Sequence, residues 1–286
     1  MTVGYIIERY SDMSGGYACR RLAEEGRKLG MDMHIVGTLD CLVEDGTLIS
    51  GGAELGRADI AFLRRRRGAV RDTVCALAGR IYNSRDRFDR YISKAAQLAD
   101  LKTSNMEVPR YTVGSGEECF RRAAEKLGLP LVAKGLEGSR GDEIFLIESE
   151  DDFMKLSGRF GPEKEWLFEE YYPGSRGTDL RLFSLRGEAV ACMRRTNPYD
   201  FRANYAQGAS VSAVPVTPEM KDIAEDVWRS TGLDIAGIDL LDGKDGHVFC
   251  EVNVMPGIKG IESCTGINIA RACLLMASED MRHGRA

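Results

Sequence analysis

No stretch of about 18 uncharged apolar residues occurs in the sequence, which excludes a membrane-spanning helix of ordinary length. The opening residues, Met1 to Arg9, reach a glutamate and an arginine before an apolar signal core could form, so the chain is expected to be cytoplasmic, with no membrane partner. Histidine is scarce. The three present, His34, His247 and His283, have no second histidine or cysteine at metal-ligand spacing, which argues against a zinc site. The eight cysteines form no Cys-x-x-Cys pair and several sit in apolar strings, so they read as reduced core residues. Neither the Walker pattern nor a Gly-x-Gly-x-x-Gly dinucleotide loop is present, and no Ser-His-Asp or Cys-His signature marks an enzyme nucleophile. A net charge of -5 argues against a nucleic-acid partner. The run Arg64, Arg65, Arg66, Arg67 is a local exception, either a solvated face or a seat for an anion.

What is present is an ordinary globular composition, 43% hydrophobic over 286 residues, long enough for two or three packed lobes. Apolar runs at Val3 to Ile7, His34 to Val36 and Ile60 to Leu63 alternate with a helical pattern over Gly16 to Leu29 stopped by Gly30, giving a small α/β lobe. The polar string Asn83-Ser84-Arg85-Asp86 reads as its end. Helical spacing runs from Phe88 to Leu98, and Ser115-Gly116-Glu117-Glu118 reads as a capping box opening a helix to Leu127. Strand-like runs follow at Leu131 to Lys134 and Ile144 to Ile147, joined by a glycine-rich loop. Further strands are expected at Trp166 to Tyr172, Leu180 to Leu185 and Ala189 to Met193, then a helix after Thr217-Pro218. A last hairpin spans Ile235 to Leu241 and Val248 to Val254, and a helix over Asn268 to Met276 closes the chain.

The last hairpin is the most informative feature. Asp239 stands on one strand, and Glu251 and Asn253 stand two apart on the next, so those two share a face. A hairpin of this length sets Asp239 roughly opposite them, which would offer hard oxygen donors to Mg²⁺. The bland alternative is the polar face of a half-exposed hairpin. Two lysines stand where phosphate-contacting cations would: Lys94 in the helical segment and Lys134 before the loop whose Gly138, Ser139 and Gly141 could fold backbone N–H groups over anionic oxygens. Such a loop can also be a simple turn.

Taken in order, Ser93-Lys94-Ala95, Val132-Ala133-Lys134, Glu137-Gly138-Ser139-Arg140-Gly141, Glu169-Glu170-Tyr171-Tyr172, Asp179-Leu180-Arg181, Asp200-Phe201-Arg202-Ala203-Asn204, Ala236-Gly237-Ile238-Asp239 and Glu251-Val252-Asn253-Val254-Met255-Pro256-Gly257 resemble the RimK-like ATP-grasp ligases. Gly260-Ile261-Glu262 and Thr265-Gly266-Ile267 extend the likeness. The resemblance implies an α/β (α+β) ATP-grasp fold: an N-terminal lobe over 1–83, a central lobe with the glycine-rich loop over 84–168, and a lobe with the metal hairpin over 169–286.

It also implies roles. Lys94 and Lys134 would contact ATP phosphates beneath the loop Glu137, Gly138, Ser139, Gly141, while Glu169, Glu170, Tyr171 and Tyr172 would bracket adenine. Asp179, with Arg181 beside it, would lie at the ribose. Arg202, Ala203 and Asn204 would stand near the γ-phosphate, Arg202 and Asn204 serving catalysis. Asp239, Glu251 and Asn253 would bind two Mg²⁺ ions, with Mn²⁺ as a substitute.

The implied chemistry activates a substrate carboxylate as an acyl phosphate and captures it with the amine of an amino acid, glutamate in related proteins. Positioning and charge neutralisation would supply catalysis. The carboxylate would belong to a metabolite, peptide or protein tail, and a homo-oligomer is expected. Two alternatives stand beside this: a ligase forming amide or ester crosslinks in a ribosomal peptide, and a non-catalytic ATP-binding regulator. The chain departs from the family pattern at Tyr205-Ala206-Gln207-Gly208-Ala209-Ser210, where paired glycines are usual, and its first 80 or so residues match only as a generic α/β lobe.

Overall fold

A computed structural model describes residues 1–11, 16–102, 106–137, 142–203 and 208–284. Its first sheet is parallel, in the spatial order Asp32–Gly37, Val3–Glu8, Ala58–Leu63, Ala78–Tyr82. Parallel pairing needs crossovers, and the helix Gly16–Lys28 supplies the first. The central strand is buried on both faces, with Tyr5, Ile6 and Ile7 all at 0% exposure, which is why it reads as a continuous apolar run rather than an alternation. A small antiparallel sheet of Cys41–Glu44, Thr47–Ser50 and Ala53–Leu55 lies between two of these strands in sequence. No simple periodicity marks it, because its exposed face carries apolar side chains such as Leu42.

The second sheet is antiparallel, in the order Ile144–Ile147, Leu131–Gly135, Glu165–Glu170, Tyr111–Ser115. The helices Gly116–Leu127 and Glu150–Phe160 accompany it, and Phe120, Phe153 and Phe168 meet in one core, the first two stacked 4.3 Å apart. The expected capping box is not formed. Ser115 makes no side-chain cap bond, because it still pairs with Glu165 as the last residue of its strand, and Gly116 at φ 76° turns the chain directly into the helix.

The helical pattern from Phe88 to Leu98 divides into two helices, Arg85–Arg90 and Lys94–Leu101. Ser93 causes the division: its hydroxyl accepts from the Ala96 N–H at 3.4 Å, so it serves as an N-cap. The second helix is then fixed to the last hairpin by Gln97, whose amide donates to the carbonyls of Tyr91 and Val252 and accepts from the Val252 N–H at 2.8 Å. Lys94 is thereby held beside Glu251.

The third sheet is antiparallel, in the order Ser210–Val214, Glu188–Thr196, Thr178–Leu185, Ile235–Asp242, His247–Asn253. The helix Pro218–Thr231 packs against it, capped by Thr217, whose hydroxyl accepts from the Met220 N–H at 3.2 Å.

The N-terminal lobe is fastened to this sheet. Asn83, placed in a string that reads as a boundary, is only 1% exposed. Its amide donates to the carbonyls of Ile235 and Val254 and accepts from the Ile235 N–H, so the polar string is tied to the third sheet. The helix Gly16–Lys28 packs on the closing helix Ile269–His283. Asp280 on that helix is 2% exposed and receives the Tyr82 hydroxyl at 2.6 Å and guanidinium groups from Arg186 and Arg80. Hydrogen bonds from Arg186 hold its carboxyl at about 2, below the ordinary 3.8. A carboxyl depressed in this way contributes stability that is complete above the ordinary value and is lost as pH falls toward about 2. Urea unfolding across that window should therefore show a steeper acid loss for the native chain than for Asp280→Asn. Equal slopes would show that this cluster does not couple folding to pH.

Candidate nucleotide and metal site

The pleat of the third sheet brings six polar residues to one face. Arg181 pairs in register with Asp239, Asp239 with Glu251, Gly237 with Asn253, and Asp179 with Arg195. Alternation along each strand then places Asp179, Arg181, Arg195, Asp239, Glu251 and Asn253 together. Gly237 lets Pro256 pack close against the row: a Cβ there would come 2.8 Å from Pro256 and 3.6 Å from the Arg181 side chain.

Asp239 is the centre of the row and is 2% exposed. Arg181 grips it with two bonds, Nε to Oδ1 at 2.5 Å and Nη2 to Oδ2 at 2.6 Å, and Arg195 adds one to Oδ2 at 2.8 Å. Burial works against its charge, but the two guanidinium groups win and hold the Asp239 carboxyl below its ordinary value. Asp179 shares Arg195 through a second pair of bonds, yet burial pushes its carboxyl up to about 6. Arg195 is a residue that sequence reading did not select. Nothing local distinguishes it from Arg194, and only the register reveals that it bridges two buried carboxylates.

The metal-type donors converge. The Asn253 amide lies 3.1 Å from Glu251 Oε1 and 3.4 Å from Asp239 Oδ2. In this arrangement the Asn253 Nδ2 donates to both carboxylates, and turning the amide over would present its oxygen beside theirs, a hard donor set that fits Mg²⁺ and leaves it further positions for other oxygens. Glu251 also faces Lys94 at 3.5 Å, and although burial opposes it, that ammonium helps keep its carboxyl below the ordinary value.

Beside this row a cavity of ≈ 90 Å³ opens between the second and third sheets. Lys134, Glu169, Glu170, Tyr171, Tyr172, Asp179, Arg202, Ala203, Asp239 and Glu251 line it, so residues drawn from six separate strings of the sequence meet in one place. Lys134 is 5% exposed and lies 2.5 Å from Glu169, with Cys250 Sγ at 3.6 Å. Burial pushes the Glu169 carboxyl up, and its Oε1 is buried with no hydrogen-bond partner among the described residues. The Glu170 carboxylate turns toward Arg110, with two bonds of 3.0 Å.

Arg202 reaches the cavity from the loop after Thr196. Its guanidinium bonds to Asp200 at 2.6 Å, and the Arg202 N–H bonds to the same carboxylate at 2.9 Å. Gly177 seats this loop: its N–H donates to the Phe201 carbonyl at 2.8 Å, and the Asn197 N–H donates to its carbonyl at 2.7 Å. Its φ is +67°, and a Cβ would stand 2.2 Å from the Asn197 oxygen, so only glycine permits this approach.

Other expected residues lie elsewhere. Lys94 and Asn253 line an adjoining cavity on the far side of Glu251. Arg181 stands behind Asp239, and Glu137 pairs with Arg67 at 2.9 Å. Gly138, Ser139, Gly141 and Asn204 lie outside the described residues, as do Arg140 and Tyr205 to Gln207.

Comparison with known proteins gives a matching picture. The model of the RimK-like ATP-grasp domain matches residues 92–276. A relative from Shewanella halifaxensis named as a probable alpha-L-glutamate ligase is 30% identical over 90% of this chain and 59% of its own length. One of the same name from Alcanivorax borkumensis is 29% identical over 93% of this chain and 92% of its own. This chain thus spans about three fifths of the Shewanella relative. Among solved structures, the ATP-grasp ligase PsnB complexed with a precursor variant, Mg and ADP superposes with a TM-score of 0.72 at 20% identity, over 97% of this chain and 98% of that one. The macrocyclase MdnC of Microcystis aeruginosa, bound with its precursor peptide, gives 0.74 at 14% identity, over 97% and 100%. At these identities the likeness is one of fold.

Proposed function

This chain belongs to the RimK-like ATP-grasp family, and from that premise we propose that it is an ATP- and Mg²⁺-dependent ligase joining the amine of an amino acid to a substrate carboxylate. The carrying observation is that Asp239 and Glu251, with the Asn253 amide beside them, border the cavity that Lys134 and Arg202 also line. The lobes are taken as 1–83, 84–168 and 169–286, so the cavity would lie between the last two.

Within that reading the buried Glu169 oxygen has a use, because an adenine amino group is a donor of the kind it lacks. Tyr171 and Tyr172 would face the base, Asp179 the ribose, and Lys134 the phosphates, with the loop at Gly138, Ser139 and Gly141 above them. Asp239, Glu251 and Asn253 would hold Mg²⁺, two ions in the full site. Bound there, the metal would neutralise charge on the phosphate oxygens.

In the reaction, a carboxylate oxygen bonds to the γ-phosphorus while the bond to the β–γ bridging oxygen breaks and ADP leaves. The amine nitrogen then bonds to the acyl carbon, phosphate departs with its electron pair, and the nitrogen loses a proton. Arg202 and Asn204 would hold the transferring group. Arginine suits this because its planar fork matches phosphate oxygens. Glutamate is carried over from the relatives' names as the amine-bearing substrate.

Two measurements test the reading. Saturating Mg-ATP should raise the unfolding temperature, since a ligand that binds only the folded state stabilises it, by about 2.7 kcal/mol at a hundred times its dissociation constant. ADP release should then depend on both a carboxylate and an amino acid, with product mass rising by the amino acid less one water. Mg-ATP binding without turnover across a broad acceptor panel would favour a non-catalytic regulator. A product needing a hydroxyl acceptor would favour the ester-forming kind of ligase instead.

A further inference from the structure

The ligase reading leaves the arginine run unused, and the structure gives its members different surroundings. Arg64 lies 4.0 Å from Glu8, Arg65 donates to the Thr38 hydroxyl at 3.3 Å, and Arg67 pairs with Glu137. Arg66 is half-buried. It donates to the Glu137 carbonyl oxygen at 3.4 Å and lines, with Lys94, a cavity of ≈ 100 Å³. The run therefore does not act as one solvated face.

This second cavity shares Glu251 with the first. A nucleotide beside Lys134 and a molecule beside Arg66 would meet at the same metal-facing carboxylate. Much of the remaining wall is apolar: buried Phe88 and Tyr91, with half-buried Ile92 and Met255. The helix Lys94–Leu101 cannot swing away to enlarge it, because Gln97 ties it to both Tyr91 and Val252.

We propose that this cavity is the subsite for the carboxylate to be activated, that Arg66 is the residue that holds it, and that the group carrying the carboxylate is compact and apolar. The inference rests on the ligase reading and narrows its acceptor. Two cations, Arg66 and Lys94, line the cavity, and a guanidinium can meet both oxygens of a carboxylate at once. The apolar share of the wall favours an aliphatic group, since a polar side chain placed against Phe88 and Ile92 would lose water without gaining a partner.

Calorimetric titration at saturating Mg²⁺ and AMPPNP tests this with three probes: N-acetyl-leucine, N-acetyl-leucine amide and N-acetyl-glutamine. The native chain should bind the leucine acid about tenfold or more tightly than either of the others, the ratio expected when one charge-assisted contact or one apolar side chain is lost. Arg66→Ala should lose about tenfold for the leucine acid, and Arg66→Lys should recover part of it, with AMPPNP affinity changing less than about twofold in both. Equal binding of acid and amide overturns the proposal, as does unchanged affinity in Arg66→Ala or no binding of the leucine acid to the native chain. Equal binding of the glutamine acid overturns its apolar half. Failure of AMPPNP itself to bind would bring down the ligase reading and this subsite with it. Nucleotide binding without the leucine acid brings down the subsite alone.

Discussion

Glu251→Gln should lower carboxylate-dependent ADP release by about 10²–10³-fold, the loss typical when one preorganised charge-stabilising group is removed. The substitution keeps the shape of the side chain and removes one charge. Glu251 borders both cavities, neighbours the Asn253 amide at 3.1 Å and faces Lys94 at 3.5 Å, so its charge serves the metal and the lysine together. Neutralising it leaves Asp239 as the one carboxylate of the hard-donor set. Steady-state ADP release at saturating ATP would measure the loss, and circular dichroism would establish that the variant folds. Activity within about tenfold of the native chain would remove Glu251 from the site.

Asp239→Ala should have the largest effect on stability, a loss of about 3–5 kcal/mol, the usual cost of breaking a buried ion pair by deleting one partner. Here the deletion removes a carboxylate that two cations share, because Arg181 and Arg195 both bond to it. Asp179 can still neutralise Arg195, but Arg181 loses both of its carboxylate bonds. Such a loss is a large share of the total stability of an ordinary domain. Asp239→Ala combined with Arg181→Leu should recover part of it, because an uncharged side chain no longer needs a partner in the sheet. Urea denaturation of the single and double variants would measure both. A single variant as stable as the native chain would mean that the row is held by packing rather than by charge.

These two residues also show how much of the site the sequence carried. The spacing of Glu251 and Asn253 put them on one face of a strand, and the structure sets Asp239 directly opposite Glu251. The strings around Lys134, Glu169 to Tyr172, Asp179 and Arg202 could be listed in order, but nothing in their spacing brings them to one cavity. Lys94 and Lys134 looked equivalent as cations, yet Lys134 enters the first cavity and Lys94 stands beyond Glu251 in the second. Arg195 and Arg66 were indistinguishable from the arginines next to them.

The sequence by itself determined the elements and their local chemistry: the apolar run of a doubly buried strand, the helix opened by Thr217-Pro218, and the paired donors at 251 and 253. These follow from short-range backbone geometry, which acts over a few residues and leaves a period in the chain. Tertiary structure alone decided that Asn83 is tied to the third sheet, that Asp239 is gripped by two arginines, and that two cavities share Glu251. Each of these depends on pairing between segments far apart in sequence, and whether a charged side chain is solvated or buried against a partner is set by that pairing rather than by its neighbours in the chain.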